Sequence, residues 1–252
     1  MLTLEQEPTD RAAAAWIIAD EIMRARTGID DRAYHLWRDH VLVGLALTER
    51  DAQHIELYIT PVFEANNLNG VTGYVGEWLW YLLTRDLPPE PGRSVEILDP
   101  PKSAVNDGGP DGLVVHRVPG SELGFVFRLW EMKKVTGDSA TPAGTIRKAW
   151  KQLNTHGARY MGQFAWGGRE LAPDARMFVA SMARQWVDRA ETGGGGVSIT
   201  LNAAEAPDTA FETAHAHFTT HTHPGALQGL MVAVDKLDDF AQQVRRFVWT
   251  GL

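Results

Sequence analysis

Apolar residues recur with two different periods along this chain, and the change of period near residue 87 divides it. Up to about residue 66 the spacing is helical. Asp10 can cap a helix running through RAAAAWIIADEIMRAR, which stops at Gly28. Asp30 and Asp31 open a second, with apolar residues at Leu36, Val41, Leu42, Leu45 and Leu47. A third spans roughly Asp51–Phe63, where Pro61 should bend or end it. A fourth pattern, Thr72 to Asp86, reads as an apolar helix with one acid placed to be buried, Glu77. Tyr74, Glu77 and Tyr81 fall on one stripe of that helix. Gly73 and Gly76 weaken it, each by up to about 1 kcal/mol against Ala. Their presence predicts that another backbone or a ligand approaches this face.

Beyond residue 87 the pattern shortens to strand-like runs. Between Leu87 and Gly109 the chain is rich in Pro and Gly, with one short strand candidate, Val95–Leu98. Leu113–Val118 and Phe125–Met132 are apolar runs separated by Pro119-Gly120-Ser121, which predicts a β-hairpin. A helix follows from Ala143 to about Met161, then a strand or short helix over 176–187. The four glycines after Glu191-Thr192 read as a flexible loop, and Val197–Leu201 and Ala214–Thr222 as strands. Leu237, Phe240, Val244 and Phe247 give a closing helix, Asp235–Val248, its buried stripe. The expectation is an α/β fold, with residues 1–66 a helical cap or docking region and 67–252 the core.

Length and composition agree with that picture. The chain has 252 residues, 44% hydrophobic and 22% charged, enough for one large domain with a proper core or for one domain plus a small appendage. It has no cysteine, which excludes disulfides, thiolate zinc sites and a cysteine nucleophile. No apolar run approaches membrane-spanning length, and the opening MLTLEQEPTD does not resemble a secretory signal, so a cytoplasmic location is expected. A net charge of −8 argues against indiscriminate binding to nucleic acid, which rests on cationic contacts to phosphate. Between Ser139 and Arg169, however, the chain carries Arg147, Lys148, Lys151, Arg159 and Arg169 and no acid. That local basic patch, with Gln152 among it and Tyr160 as a looser candidate, suits a phosphate backbone. An ordinary solvated helix face is the competing reading.

The candidate chemistry lies in the hairpin. Side chains two apart on a strand share a face, so Glu131 and Lys133 point with Phe125, Phe127 and Leu129. Charges on an apolar sheet face are costly unless paired or bound to an ion. Asp111 precedes the first strand of the hairpin directly, as its rivals Asp99 and Asp107 do not. Two carboxylates at a strand end, with the Met132 carbonyl between Glu131 and Lys133, offer hard oxygens suited to Mg²⁺ or Mn²⁺. A surface ion pair among the same three side chains is the plainer alternative. His215, His217, His221 and His223 would share one face of a strand; an exposed polar face is the simplest account, and a histidine metal site the bolder one.

Pro110-Asp111, a gap of 19 residues and Glu131-Met132-Lys133 resemble the motif of the PD-(D/E)xK nuclease superfamily. With Glu77 on a preceding helix and Gln152 on a following one, the order over residues 70–165 is also similar. Within the superfamily, the Gly-x-x-Gly-Glu helix, the Gly-Pro-Asp-Gly turn and the Leu-Trp-Glu-Met-Lys strand look similar to the nuclease subunit of the Hachiman anti-phage defence system. The resemblance implies a restriction-endonuclease-like central mixed sheet flanked by helices, and Mg²⁺-dependent hydrolysis of DNA. Asp111, Glu131, the Met132 carbonyl and Glu77 would then hold metal, Lys133 would act on the attacking water, and Arg147, Lys148, Lys151 and Gln152 would meet nucleic acid. It further implies a helicase-like partner that restrains or delivers the nuclease. The alternatives are a restriction endonuclease acting alone, and a non-catalytic module that binds nucleic acid or protein on the same fold.

Overall fold

The structure is a computed structural model that describes residues 2–4, 8–63, 68–87, 92–101, 111–122, 124–136, 140–163 and 170–250. Four helices come first after a short strand: β1 Leu2–Leu4, α1 Pro8–Thr27, α2 Asp31–Val43, α3 Glu49–Phe63 and α4 Leu68–Asp86. Their ends follow local rules. Gly28 leaves α1 at φ +58°, and the Asp30 side chain accepts the Ala33 N–H at 3.1 Å to cap α2. Gly44 ends α2 in the left-handed region, returning its N–H to the carbonyls of Asp39 and His40. Pro61 sits in the last turn of α3, which stops at Phe63. The buried face of α2 is Ala33, Tyr34 and Trp37, whereas Leu42 and Leu45 of the expected stripe are exposed.

Then come β2 Ser94–Leu98, β3 Gly112–Arg117, β4 Phe125–Val135, α5 Pro142–Met161, α6 Pro173–Val187, β5 Gly195–Asn202, the one-turn α7 Ala214–His217, β6 Leu227–Val234 and α8 Leu237–Trp249. The strands form an open mixed sheet in the order β1-β6-β5-β4-β3-β2. β2, β3 and β4 make an antiparallel meander, while β4, β5, β6 and β1 run parallel. β4 is the longest strand, with eleven residues, and lies inside the sheet.

Each sheet face is covered by helices. On one side α1–α4 and α8 share a core with Val232 and Val234 of β6, so the N-terminal helices and α4 bury one continuous apolar surface. On the other, α5 and α6 pack on Leu113, Phe127, Leu129, Val197 and Ile199. Trp16 and Ile18, apolar residues of the expected cap or docking region, belong to the first core, with Trp16 stacked on Trp37 at 5.3 Å.

Of the two forms expected over 176–187, the structure takes the helix, α6. Two expectations fail. Residues 214–222 are not a strand; the sixth strand is Leu227–Val234, which the sequence reading did not anticipate. Gly193–Gly196 are buried and lead into β5 rather than forming a flexible loop. They are glycines because neighbours close on them: a Cβ on Gly194 would lie 2.1 Å from the Ala226 carbonyl oxygen, and one on Gly196 2.3 Å from the Trp130 ring. Among the described residues no helix is long and apolar enough to cross a membrane.

Candidate active site

The register of the β3–β4 pair assembles the site. Gly112 pairs with Trp130 and Arg117 with Phe125, so carrying the register back one residue sets Asp111 opposite Glu131. Directly opposed residues in an antiparallel pair project to the same face, with Cβ atoms about 4.5–5.5 Å apart. The alternation along β4 puts Glu131 and Lys133 on that face, with Phe125, Phe127 and Leu129 packed into the α5–α6 core. Trp130 and Met132 face the other way and cluster with Trp80 of α4.

Glu131 is 0% exposed. Its Oε1 takes an ion pair from Lys133 Nζ, while Oε2 is buried with no hydrogen-bond partner among the described residues. The Asp111 carboxylate stands beside it, and one of its oxygens, Oδ2, accepts the Met132 N–H at 2.6 Å. Burial first, then the charge of Asp111, push Glu131 up to about 8 against the opposing pull of Lys133. Burial draws the Lys133 ammonium down, but Glu131, Asp111 and then Tyr160 outweigh it and hold its pKa above the ordinary lysine value.

Two adjacent carboxylates, with the buried Glu131 Oε2 reached by no donor among the described residues, fit a small hard cation. The ladder adds a third oxygen. Phe127 and Leu129 donate their N–H groups toward the β5 side, so the alternate residues, Met132 included, present backbone groups toward β3. Because β3 starts at Gly112, the Met132 N–H meets the Asp111 side chain instead of a strand, and its carbonyl points the same way. The described residues contain no cluster of three or more acid, histidine or cysteine side chains able to hold a metal. A cation here would rest on Asp111, Glu131, the Met132 carbonyl and solvent.

Glu77 occupies a different place. It lies on the sheet-facing side of α4 and borders a cavity of about 200 Å³ with Gly73, Gly76, Met132, Lys133, Lys134 and Thr200. At Gly76 α4 comes close to the sheet, since a Cβ there would lie 3.0 Å from Thr200 Oγ1; Gly73 has nothing within 4 Å and opens the cavity. The structure therefore brings Asp111, Glu131 and Lys133 together and sets Glu77 across β4 from them, with Lys133 bordering both groups.

On α5, Arg147, Lys148 and Lys151 are exposed on the solvent face. Gln152 is half-buried, and its amide donates to the Tyr160 hydroxyl at 2.9 Å; Tyr160 is the group of this helix that acts on Lys133. Arg169 lies outside the described residues, as do Asp107 and Pro110. The sequence reading missed Thr200 and Lys134. Lys134 Nζ donates to the Asn69 carbonyl at 2.6 Å and ties β4 to the start of α4, a contact with no local signature.

The expected row of four histidines does not exist. His215 and His217 sit on α7 and His221 and His223 in the loop after it. His221 is 1% exposed, with ring centroids 4.4 Å from Trp186 and 5.8 Å from Phe218. Burial, then His223, Arg128 and Arg189, lower its pKa to about 4, which keeps it neutral and makes it a packing residue.

No protein-family model matches this chain, and no curated protein or solved structure matches it either.

Proposed function

We propose that this protein is a metal-dependent nuclease of the PD-(D/E)xK type, hydrolysing DNA phosphodiester bonds. The observation that carries the reading is the meeting of Asp111, Glu131 and Lys133 at the carboxyl end of β4, with a buried carboxylate oxygen left without a donor. A site built to hold the fold together would not bury an acid beside a second acid. The mixed sheet, with α4 before the β2–β4 meander and the acid-free helix α5 after it, supports a restriction-endonuclease-like fold.

In this reading Asp111, Glu131 and the Met132 carbonyl would hold Mg²⁺, or Mn²⁺ in its place, which when bound would supply an acidified water and charge neutralisation at the scissile phosphate. Lys133 would orient the attacking water and offset negative charge as it accumulates on the phosphate oxygens. Gln152 and Tyr160 fix the wall beside Lys133. Arg147, Lys148 and Lys151 meet the phosphate backbone on the exposed side of α5. Glu77 supports a cation from across β4. The net charge of −8 gives the chain little grip on DNA by itself, so a helicase-like partner delivers or restrains it, as in anti-phage defence. A cytoplasmic location follows from that role.

The test is cleavage of plasmid DNA with Mg²⁺ or Mn²⁺, with and without co-purified partners. Lys133→Ala should abolish cutting while the circular dichroism spectrum stays that of the wild type. Cutting at the wild-type rate by Lys133→Ala would remove the proposed role of Lys133. A folded wild-type protein that binds nucleic acid but never cuts it would leave a non-catalytic binding module.

A further inference from the structure

Both carboxylates of the site are engaged by the chain itself. Asp111 Oδ2 is held by the Met132 N–H, and Glu131 Oε1 is held by Lys133 Nζ, the cation paired with this fully buried acid. The two contacts differ in kind. The first is a backbone hydrogen bond to one oxygen, and a carboxylate oxygen with a second lone pair can keep it while binding a cation. The second is a full positive charge on Oε1, within one carboxylate's width of the unpartnered Oε2 that a divalent ion would take. Two cations cannot share that acid at contact distance without strong repulsion. The Lys133 side chain is 34% exposed, so it has an open direction in which to leave, whereas Glu131 at 0% has none.

We infer that Lys133 is the resting counter-ion of this site, so that divalent-cation binding is an exchange in which its ammonium leaves Glu131 and turns outward. This rests on the nuclease reading and adds a regulatory step to it. The site carries its own plug, and the group that vacates Glu131 is the one that then meets the substrate phosphate. Cation and phosphodiester therefore reinforce each other: the metal frees the ammonium, and an anionic partner for the ammonium lowers the cost of freeing it.

The experiment uses the full chain at fixed pH, with two readouts. Calorimetric titration with Mn²⁺ measures cation binding in the wild type and in Glu131→Gln. Mass spectrometry measures how fast an amine-reactive ester labels Lys133, with and without Mn²⁺. Exchange predicts Glu131-dependent Mn²⁺ binding, and Lys133 labelling faster by about fivefold or more once Mn²⁺ is bound, within the usual range of coupling between sites. In Glu131→Gln, Lys133 should be labelled quickly from the outset and be indifferent to Mn²⁺. If Mn²⁺ binds through Glu131 but Lys133 labelling does not change, the exchange is wrong and the cation site stands. If no Mn²⁺ binds to folded wild-type protein at millimolar concentration, the nuclease reading falls and the exchange falls with it.

Discussion

Replacing Glu131 by Gln removes one ionisation from a buried position while keeping the shape of the side chain, and it should make the metal-free protein more stable at alkaline pH. The folded-state pKa is raised from 4.5 to about 8, by burial first and by Asp111 second. Between those values the folded state binds more protons than the unfolded state. Stability from this group is therefore fully present below pH 4.5 and is lost as pH rises through 8. At about 1.4 kcal/mol per pH unit, the rise caps the loss at roughly 5 kcal/mol. Glu131 and Lys133 titrate as a pair, so part of that cost is shared, and roughly 2–4 kcal/mol is the expected difference at pH 9. The neutral amide in the Glu131→Gln variant would leave Lys133 without its counter-ion, but a partly exposed ammonium can turn to water at a cost of about 1 kcal/mol or less. The assay is urea unfolding with a chelator present, followed by the fluorescence of the nine tryptophans, at pH 5 and pH 9. Glu131→Gln should match the wild type within about 1 kcal/mol at pH 5 and exceed it clearly at pH 9. A variant less stable than the wild type at pH 9 would mean that Lys133 compensates the buried charge in full, and the argument for a strained acid would be refuted.

Two further outcomes test the packing around the site. His221 has its pKa lowered to about 4, so its stabilising effect is present above pH 6.5 and lost as pH falls through 4; His221→Phe should remove roughly 3 kcal/mol of that acid sensitivity, read from urea midpoints at pH 7 and pH 4. Gly196→Ala should destabilise by about 3 kcal/mol, because its Cβ would meet the Trp130 ring at 2.3 Å, whereas Gly73→Ala, with open space around it, should stabilise α4 by about 0.5–1 kcal/mol; equal effects in thermal melts would disprove the close approach at Gly196.

Local features were legible from the residues alone. Gly28 ends a helix, Asp30 caps one, and Pro119-Gly120-Ser121 separates two strands, because each of these acts through a few adjacent bonds. The hairpin pattern also put Glu131 and Lys133 on one face, since strand alternation needs no knowledge of the rest of the chain. What lay between distant segments emerged in three dimensions. AHAHFTTHTH alternates like a strand, yet His221 packs on Trp186 of α6 and Phe218, and the strand place beside β5 goes to Leu227–Val234. The four glycines at 193–196 read as freedom in the sequence, but Arg128, Phe218, Trp130 and the Ala226 carbonyl press on three of them and make them necessary. Glu77 illustrates the same limit: its helix was legible, but the sheet face that α4 covers depends on how the apolar surface of α1–α3 and α8 closes over it. Periodicity tells which side of an element is apolar, and only the burial of that side against a particular partner tells which charges end up together.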